Sequence, residues 1–258
     1  MPEGDTIWRT AVALRRRLIG KTVTAAAPDL VKRLEGHRLV AVEPVGKHLI
    51  MRFDGQVALH SHMRMTGSWH LYRPGERWRQ PERRARAVLN FDGAVAVLFS
   101  APVVEVVRDD RQPVQHLGPD VLAETFDIDE VIRRARLSQA RTIGELLLEQ
   151  RVCAGIGNIY KCETLWTHRV NPWSAPSSLD QAELRGLYLT ARDLMRRALT
   201  GKGFAPRHAV HGRGGRSCPR CGTRISVRAQ GEQARMTFFC PRCQRKKDQP
   251  TDWSSLSD

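Results

Sequence analysis

Two cysteine pairs, Cys218-x2-Cys221 and Cys240-x2-Cys243, stand 18 residues apart. An x2 spacing lets one tight turn aim two thiolates at a single ion, and two such turns at this separation fit a tetrahedral four-cysteine zinc (Zn2+) site. Residues 224–229 and 234–239 are strand-like and 230–233 turn-like, so the ligands are expected on a β-hairpin zinc finger. Arg220, Arg224, Arg242 and Arg245 lie close in sequence and can offset the negative charge of four thiolates around one zinc. Disulfides would need an oxidising compartment, of which the sequence gives no sign. Cys153 and Cys162 fall in helical sequence and read as core residues. In the second hairpin strand, alternation puts Arg235 with Thr237 and Phe239 on one face and Met236 with Phe238 on the other. An arginine placed there in a basic finger reads as a phosphate contact, with a more specific, catalytic role equally open.

The chain begins Met1-Pro2-Glu3-Gly4-Asp5-Thr6. Initiator methionine is normally removed before a small residue, which leaves Pro2 as a free secondary amine. An α-amino group titrates near about 7.7–8.0, so part of it is neutral at neutral pH. Such an amine can attack a carbonyl carbon and form an iminium, the electron sink that lysine Schiff bases also provide. Glu3, next door, could move protons. Met-Pro-Glu is equally an ordinary start. A third candidate is Ala154-Gly155-Ile156-Gly157-Asn158. Gly155 and Gly157 would let backbone N–H groups approach an oxyanion where the following helix dipole favours negative charge, with Asn158 as N-cap. Read alone, the stretch is also a plain turn, and Lys47 a solvated strand lysine.

The elements that must position these residues change character along the chain. Residues 48–53, 56–62, 87–91 and 94–99 read as strands, paired around Asp54-Gly55 and Asp92-Gly93 turns, after an amphipathic helix from about Thr6 to Leu18. The Arg- and Pro-rich residues 73–86 read as a solvated loop. From Ile128 to about Leu199 the period becomes helical, with Asp127 or Asp129 as a cap, residues 142–150, a helix through Ile159, Cys162, Leu165 and Trp166, and Ala182–Ala198. Five glycines between 201 and 216 suggest a flexible linker or loop before the cysteines.

With 258 residues, 41% of them hydrophobic, the chain has the length and composition of a folded globular protein. Charge narrows the partners. Lys and Arg number 42 against 27 Asp and Glu, a formal net charge of +15. Residues 201–258 alone carry 12 against 4, a surplus of 8. A polyanion is the expected partner, and nucleic acid is favoured over a membrane surface because no basic amphipathic helix with an aromatic anchor stands out. No run approaches 18 apolar residues, and charges at Glu3, Asp5, Arg9 and Arg15–Arg17 break any signal-peptide core, so the expected compartment is cytoplasmic.

Taken together, the chain resembles the formamidopyrimidine-DNA glycosylase and endonuclease VIII family over nearly its whole length. The resemblance rests on Pro2-Glu3-Gly4, on Val45-Gly46-Lys47-His48-Leu49, on residues 150–160 (QRVCAGIGNIY), and on the four-cysteine finger with Ala234-Arg235-Met236-Thr237-Phe238-Phe239-Cys240. It implies an α+β fold: an N-terminal β-sandwich with a helix (1–118), a C-terminal helix-two-turn-helix domain (125–205), then linker and β-hairpin zinc finger (206–245), followed by a disordered tail (246–258). DNA would run between the lobes.

The resemblance further implies a bifunctional DNA glycosylase/AP lyase of base excision repair in the bacterial cytoplasm. It would act as a monomer on double-stranded DNA containing oxidised bases or abasic sites. Pro2 would attack C1′ of the damaged nucleoside, and the iminium would acidify the 2′ proton so that the 3′ phosphate is eliminated. Glu3 would be the general acid/base, Lys47 a strand lysine at the phosphate beside the lesion that assists catalysis, and Asn158 with Gly157 and Arg235 the clamp on the phosphates flanking the flipped nucleotide. A base must leave the stack before C1′ is reached, at a cost of roughly a few kcal/mol that such clamps would supply. His62-Met63-Arg64-Met65-Thr66-Gly67 matches the loop that fills the vacated space, with Met65 as wedge and Arg64 beside it; packing under the sheet accounts for Met65 equally well. Thr6 stands where several relatives carry a second glutamate. The Gly4 start is similar to the endonuclease VIII branch, which implies oxidised pyrimidines as substrates. β- and β,δ-elimination both remain open.

Two other readings compete. A catalytically silent zinc-finger protein could bind damaged or abasic DNA without cutting it, but would have no need of Pro2, Glu3 and Lys47 together. A zinc-ribbon RNA-binding factor explains the charge and the cysteines but not the N-terminal amine.

Overall fold

The computed structural model describes residues 2–200 and 208–245. The expected tail, 246–258, and part of the expected linker lie outside them. The chain divides into two compact units, one ending at His116 and one starting at Leu117.

The first unit opens with helix α1 (Gly4–Leu18), whose Ile7, Ala11, Leu14 and Leu18 recur at helical spacing and are buried. Strand β1 (Val23–Ala27) and the single turn α2 (Asp29–Lys32) follow, then β2 (Leu39–Val45), β3 (His48–Phe53), β4 (Val57–His62), β5 (Ser68–Tyr72), β6 (Ala85–Phe91), β7 (Ala94–Phe99) and β8 (Val103–Val107). They form two four-stranded sheets, β1-β6-β7-β5 and β2-β3-β4-β8, with neighbouring strands antiparallel. Leu49, Met51 and Leu59 of one sheet, Leu89, Ala96 and Leu98 of the other, and the apolar stripe of α1 share one core. This is the expected β-sandwich with a helix.

Two local expectations change. The turn after β3 spans three residues, because Phe53 pairs with Val57 and both Gly55 (φ 71°) and Gln56 (φ 57°) are left-handed. A two-residue turn would place Ser61 opposite His48; the extra residue places His62 there instead and so decides which side chains share a face. The Asp92-Gly93 turn has the expected two residues, Phe91 pairing with Ala94. Residues 73–86 are also less solvated than their composition suggests. Trp78 packs on Tyr72 and Phe99, Gln80 donates to Ser68 Oγ (3.1 Å), and the Arg79 N–H donates to the Tyr72 hydroxyl (3.0 Å). This cover explains why β7, an unbroken apolar run, is buried on both faces.

The second unit contains α3 (Ile128–Leu137), the short α4 (Ile143–Leu146), α5 (Asn158–Thr167), α6 (Gln181–Thr200) and the hairpin β9 (Ser226–Gln230) and β10 (Arg235–Phe239). Asp127, not Asp129, caps α3 by accepting the Glu130 N–H (2.9 Å). The expected helix over 142–150 is one α-turn, capped by Thr142, that unwinds into successive turns. Cys153 and Cys162 are core residues, as expected.

Candidate active site and nucleic-acid interface

In the first unit, Pro2 is half-buried and Glu3 is 1% exposed. Glu3 has extended backbone (φ −115°), and its carbonyl accepts the N–H groups of Thr6 and Ile7 (3.0 and 3.1 Å), which starts α1. Glu3 is therefore held by its backbone at the N-terminus of α1, and its side chain is shielded from water. Asp5, also buried, pairs with Arg9. Thr6 Oγ1 lies 3.4 Å from Asp5 Oδ1 and does not take the place of an acid.

Lys47 is not within a strand. Val45 pairs with His48, so Gly46 (φ 58°) and Lys47 form the two-residue turn between β2 and β3. A tight hairpin turn needs the left-handed residue, which Gly supplies without strain, and it holds Lys47 at its tip.

The loop after β4 closes on itself, with Gly67 N–H donating to the Met63 carbonyl (2.8 Å). A Cβ on Gly67 would come within 2.7 Å of Met63 backbone atoms, so only glycine fits. Arg64 (φ 43°) is exposed, its N–H donating to His62 Nδ1 (3.1 Å), and Met65 is 58% exposed. The buried residue here is Met63, which removes the reading of Met65 as packing under the sheet.

Residue-by-residue reading missed a histidine cluster on the same sheet. His48 Nδ1 lies 2.8 Å from His60 Nε2, His60 Nδ1 lies 3.4 Å from Glu105 Oε2, and the rings of His62 and His116 approach that of His48 (centroids 4.5 and 6.1 Å). Burial, assisted by the neighbouring imidazoles and Lys47, pushes His48 down to about 3. Burial, with the charges of Arg64 and Lys47, pushes His62 down to about 4. Both rings are neutral at neutral pH. The signal was present: His60-x-His62 lies on one face of a strand, and the three-residue turn brings His48 opposite.

In the second unit, the glycine-rich turn is built differently from the expectation. The Gly155 N–H is taken by Gln150 Oε1 (3.0 Å), so it does not face a ligand. Gly157, not Asn158, is the N-cap of α5; Asn158 is the first helical residue. Its side chain is buried and reaches the finger, Nδ2 donating to the Met236 carbonyl (2.9 Å), while its Oδ1 is buried without a hydrogen-bond partner. One turn on, the Lys161 ammonium donates to Thr237 Oγ1 (2.6 Å). Thr237 is buried and Met236 is 51% exposed, so the alternation along β10 is real, with its inner face against α5. Arg235 is half-buried, its guanidinium donating to Gln233 Oε1 (2.9 Å).

Gln230, at the end of β9, joins finger and helices. Its Nε2 donates to Thr142 Oγ1 and the Pro172 carbonyl (2.9 and 2.7 Å), and its Oε1 accepts from Thr237 Oγ1 (3.0 Å). A Cβ on Gly144 would lie 2.4 Å from that Oε1, so the glycine makes the niche. Glu163, buried, accepts the N–H groups of Ala209, Val210 and His211, which ties down the part of the expected flexible stretch that is described.

The sulfurs of Cys218, Cys221, Cys240 and Cys243 lie within 4.8 Å of one another, with Cys221 and Cys240 3.5 Å apart. Zn–S bonds of about 2.3 Å in a tetrahedron would need sulfurs roughly 3.8 Å apart, so the cluster fits a metal ion. Trp166 Nε1 donates to Cys218 Sγ and the Cys243 N–H to Cys240 Sγ (both 3.4 Å), as thiolate ligands require. Arg220 lies over Trp166 (4.1 Å), and Gln244 bonds both the Cys240 N–H (2.8 Å) and the Val170 carbonyl (2.9 Å), which seats the knuckles on the loop after α5.

Two family descriptions match: the formamidopyrimidine-DNA glycosylase N-terminal domain over residues 1–103 and the formamidopyrimidine-DNA glycosylase H2TH domain over 117–207. The chain is 36% identical over 260 residues to a probable endonuclease 8 2 of Streptomyces coelicolor, covering 95% of this chain and 94% of the relative. It is 34% identical over 258 residues to the DNA-(apurinic or apyrimidinic site) lyase Nei2 of Mycolicibacterium smegmatis, covering 95% and 99%. The crystal structure of the MutM (Fpg) protein of Thermus thermophilus superposes with a TM-score of 0.81 at 31% identity, covering 95% of this chain and all of that one. A Lactococcus lactis Fpg in complex with DNA containing an abasic site has the same fold (TM-score 0.81, 23% identity, 95% of this chain and 100% of that one).

Proposed function

The chain belongs to the formamidopyrimidine-DNA glycosylase/endonuclease VIII family, a bifunctional DNA glycosylase/AP lyase of base excision repair, and from that premise we propose how its own residues divide the work. With Met1 removed, the Pro2 nitrogen attacks C1′ of the damaged nucleoside, the base departs with the bonding electrons, and loss of the amine proton with opening of the sugar ring gives an iminium. That cation withdraws electrons from C2′, a base removes the 2′ proton, and the C3′–O bond breaks to release the 3′ phosphate. Glu3 is the group that exchanges these protons. The observation that carries the reading is the pairing of Pro2 with a carboxyl 1% exposed on the next residue, at the start of α1, which puts a proton-exchanging group beside the amine.

Lys47, from its rigid turn, holds the phosphate beside the lesion. Gly157 with the first turn of α5, Asn158 and Arg235 hold the flanking phosphates; the N-terminus of α5, whose dipole favours an anion, supports a role for this corner in phosphate contact. Met65, exposed on a loop fixed by Gly67, fills the space left by the flipped nucleotide with Arg64 beside it. The metal at the four cysteines is zinc, held for structure alone, and the substrate is double-stranded DNA with an oxidised base or abasic site, acted on by a monomer. Oxidised pyrimidines are the preferred bases. No described helix is long and apolar enough to cross a membrane.

The test is strand scission on duplexes that carry one oxidised pyrimidine, one oxidised guanine or one abasic site, with metal content measured on the same preparation. Cleavage at the pyrimidine and abasic sites with one zinc per chain is expected. Binding without scission at any of the three would favour the silent damage-binding alternative.

A further inference from the structure

The two sheets of the first unit end in four edge strands, β1, β5, β2 and β8. The loop after β1 takes its edge: the Val23 N–H donates to the His37 carbonyl and the Gly36 N–H to the Val23 carbonyl (both 2.9 Å), while the Ala26 N–H donates to Glu35 Oε1 (2.8 Å). β2 receives α1, from which Arg15 Nε donates to the Val42 carbonyl, and β8 lies against α2. β5 differs from all three. It pairs with β7 through five residues without a bulge, and among the described residues no backbone hydrogen bond reaches its outer edge. Its sequence, Ser68-Trp69-His70-Leu71-Tyr72, has none of the Lys, Pro or acidic residues that commonly guard an edge. Between that edge and one face of α1 lies a cavity of about 430 Å³. The side toward the sandwich is apolar, with Trp69 and Leu71 half-buried and Leu14 of α1 beside them. The outer side is basic. His70 and Tyr72 are held there by ring contacts with Phe99 and Trp78, and Arg79, anchored by its N–H to the Tyr72 hydroxyl, brings an exposed guanidinium that makes no ion pair with a described residue. Residues 73–86, which follow β5, hold six arginines against two glutamates.

We propose that the outer edge of β5 is a docking site for an extended acidic segment of a partner protein, which joins the β1-β6-β7-β5 sheet as a further strand. A strand edge presents N–H donors and C=O acceptors in alternation, and another peptide backbone answers both. A phosphodiester chain supplies acceptors alone and would leave the β5 carbonyls unmatched. Successive side chains of the added strand fall on opposite faces, so the segment carries apolar residues toward Trp69, Leu71 and Leu14, alternating with Asp or Glu toward Arg79. The surface shares no residue with the catalytic assignment above and stands or falls apart from it.

The probe is a capped peptide of four Val-Glu repeats, titrated into the full chain up to millimolar concentration and followed by amide hydrogen exchange. Saturable binding with slowed exchange at residues 68–72 is expected, and none along β8. Arg79→Glu should weaken the peptide by about tenfold, since an attractive cross-strand pair becomes a repulsive one. Ala13→Phe, which puts a ring into the cavity from an exposed helix position, should abolish binding. Both variants should keep the wild-type rate of scission at an abasic site, which reports that they fold; if Ala13→Phe loses it, Arg79→Glu decides. Unchanged exchange at 68–72 with the peptide at millimolar concentration overturns the site. Equal binding of a peptide of four Val-Lys repeats overturns the acidic partner. A single-stranded oligonucleotide that protects 68–72 and displaces the Val-Glu peptide overturns the peptide partner in favour of a general polyanion surface. Protection of 68–72 that grows with the concentration of the protein alone would give the edge to a second copy of the chain instead.

Discussion

The two units place their candidate functional residues by different means. In the first, position comes from backbone: Pro2 and Glu3 from the start of α1, Lys47 from a two-residue turn, Met65 from a loop closed around Gly67, the histidines from strand register. In the second it comes from docking, since Asn158, Lys161 and Gln230 bind the finger hairpin to the helices and the cysteine cluster sets the hairpin's base. A site set by backbone tolerates changes far away, whereas a site set by docking fails when any clasp or ligand is lost.

The largest expected effect lies in the first unit. Any residue retained ahead of Pro2 turns its amine into an amide, and elimination should fall by several orders of magnitude while gel-shift affinity for abasic-site duplex persists. Loss of metal from the second unit should do the reverse. Cys240→Ser or chelation is expected to abolish tight DNA binding and to expose the 208–245 backbone to hydrogen exchange, with the β-sandwich still protected. Next comes Arg235→Ala, which removes the charge-assisted phosphate contact proposed for it, worth about 2 kcal/mol. Base excision should slow roughly thirtyfold in single-turnover assays.

Acidification should act first where buried imidazoles sit. His48 and His62 sit at about 3 and about 4 in the folded chain against an ordinary 6.5, so the unfolded chain takes up protons first. Their contribution is constant above about 6.5 and is lost as pH falls from there toward 3. β3 and β4 should therefore gain hydrogen exchange before α3 does. The smallest effect is local: Gly144→Ala, whose new Cβ meets Gln230, should destabilise the finger–helix junction by about 1–3 kcal/mol, read as a lower thermal midpoint with the β-sandwich unaffected.

What the sequence discloses follows the same division. Strands, helices, the β-hairpin finger and the cysteine set were legible because periodicity and fixed spacing encode them locally. The Lys47 turn was not: Lys47 reads as a strand lysine because residues 48–53 are strand-like, while the strand that precedes the turn is broken in sequence by Glu43 and Pro44. The histidine face depended on one residue in the turn after β3, since Asp54-Gly55 suggests a two-residue loop and only the added Gln56 brings His62 opposite His48. Asn158 was misread as a cap because local rules favour it there, while its side chain answers to Met236, far away in sequence. Trp78 belongs to the same class, an anchor inside a segment whose composition suggests solvent.

The central claim is that the Pro2 amine forms a covalent bond to the sugar. Borohydride trapping on a duplex with one abasic site, run beside the same protein blocked at its amino terminus, tests it most directly. A stable protein–DNA adduct that disappears on blocking is the predicted result. An adduct of equal yield from the blocked protein would contradict it and would assign the chemistry to another amine.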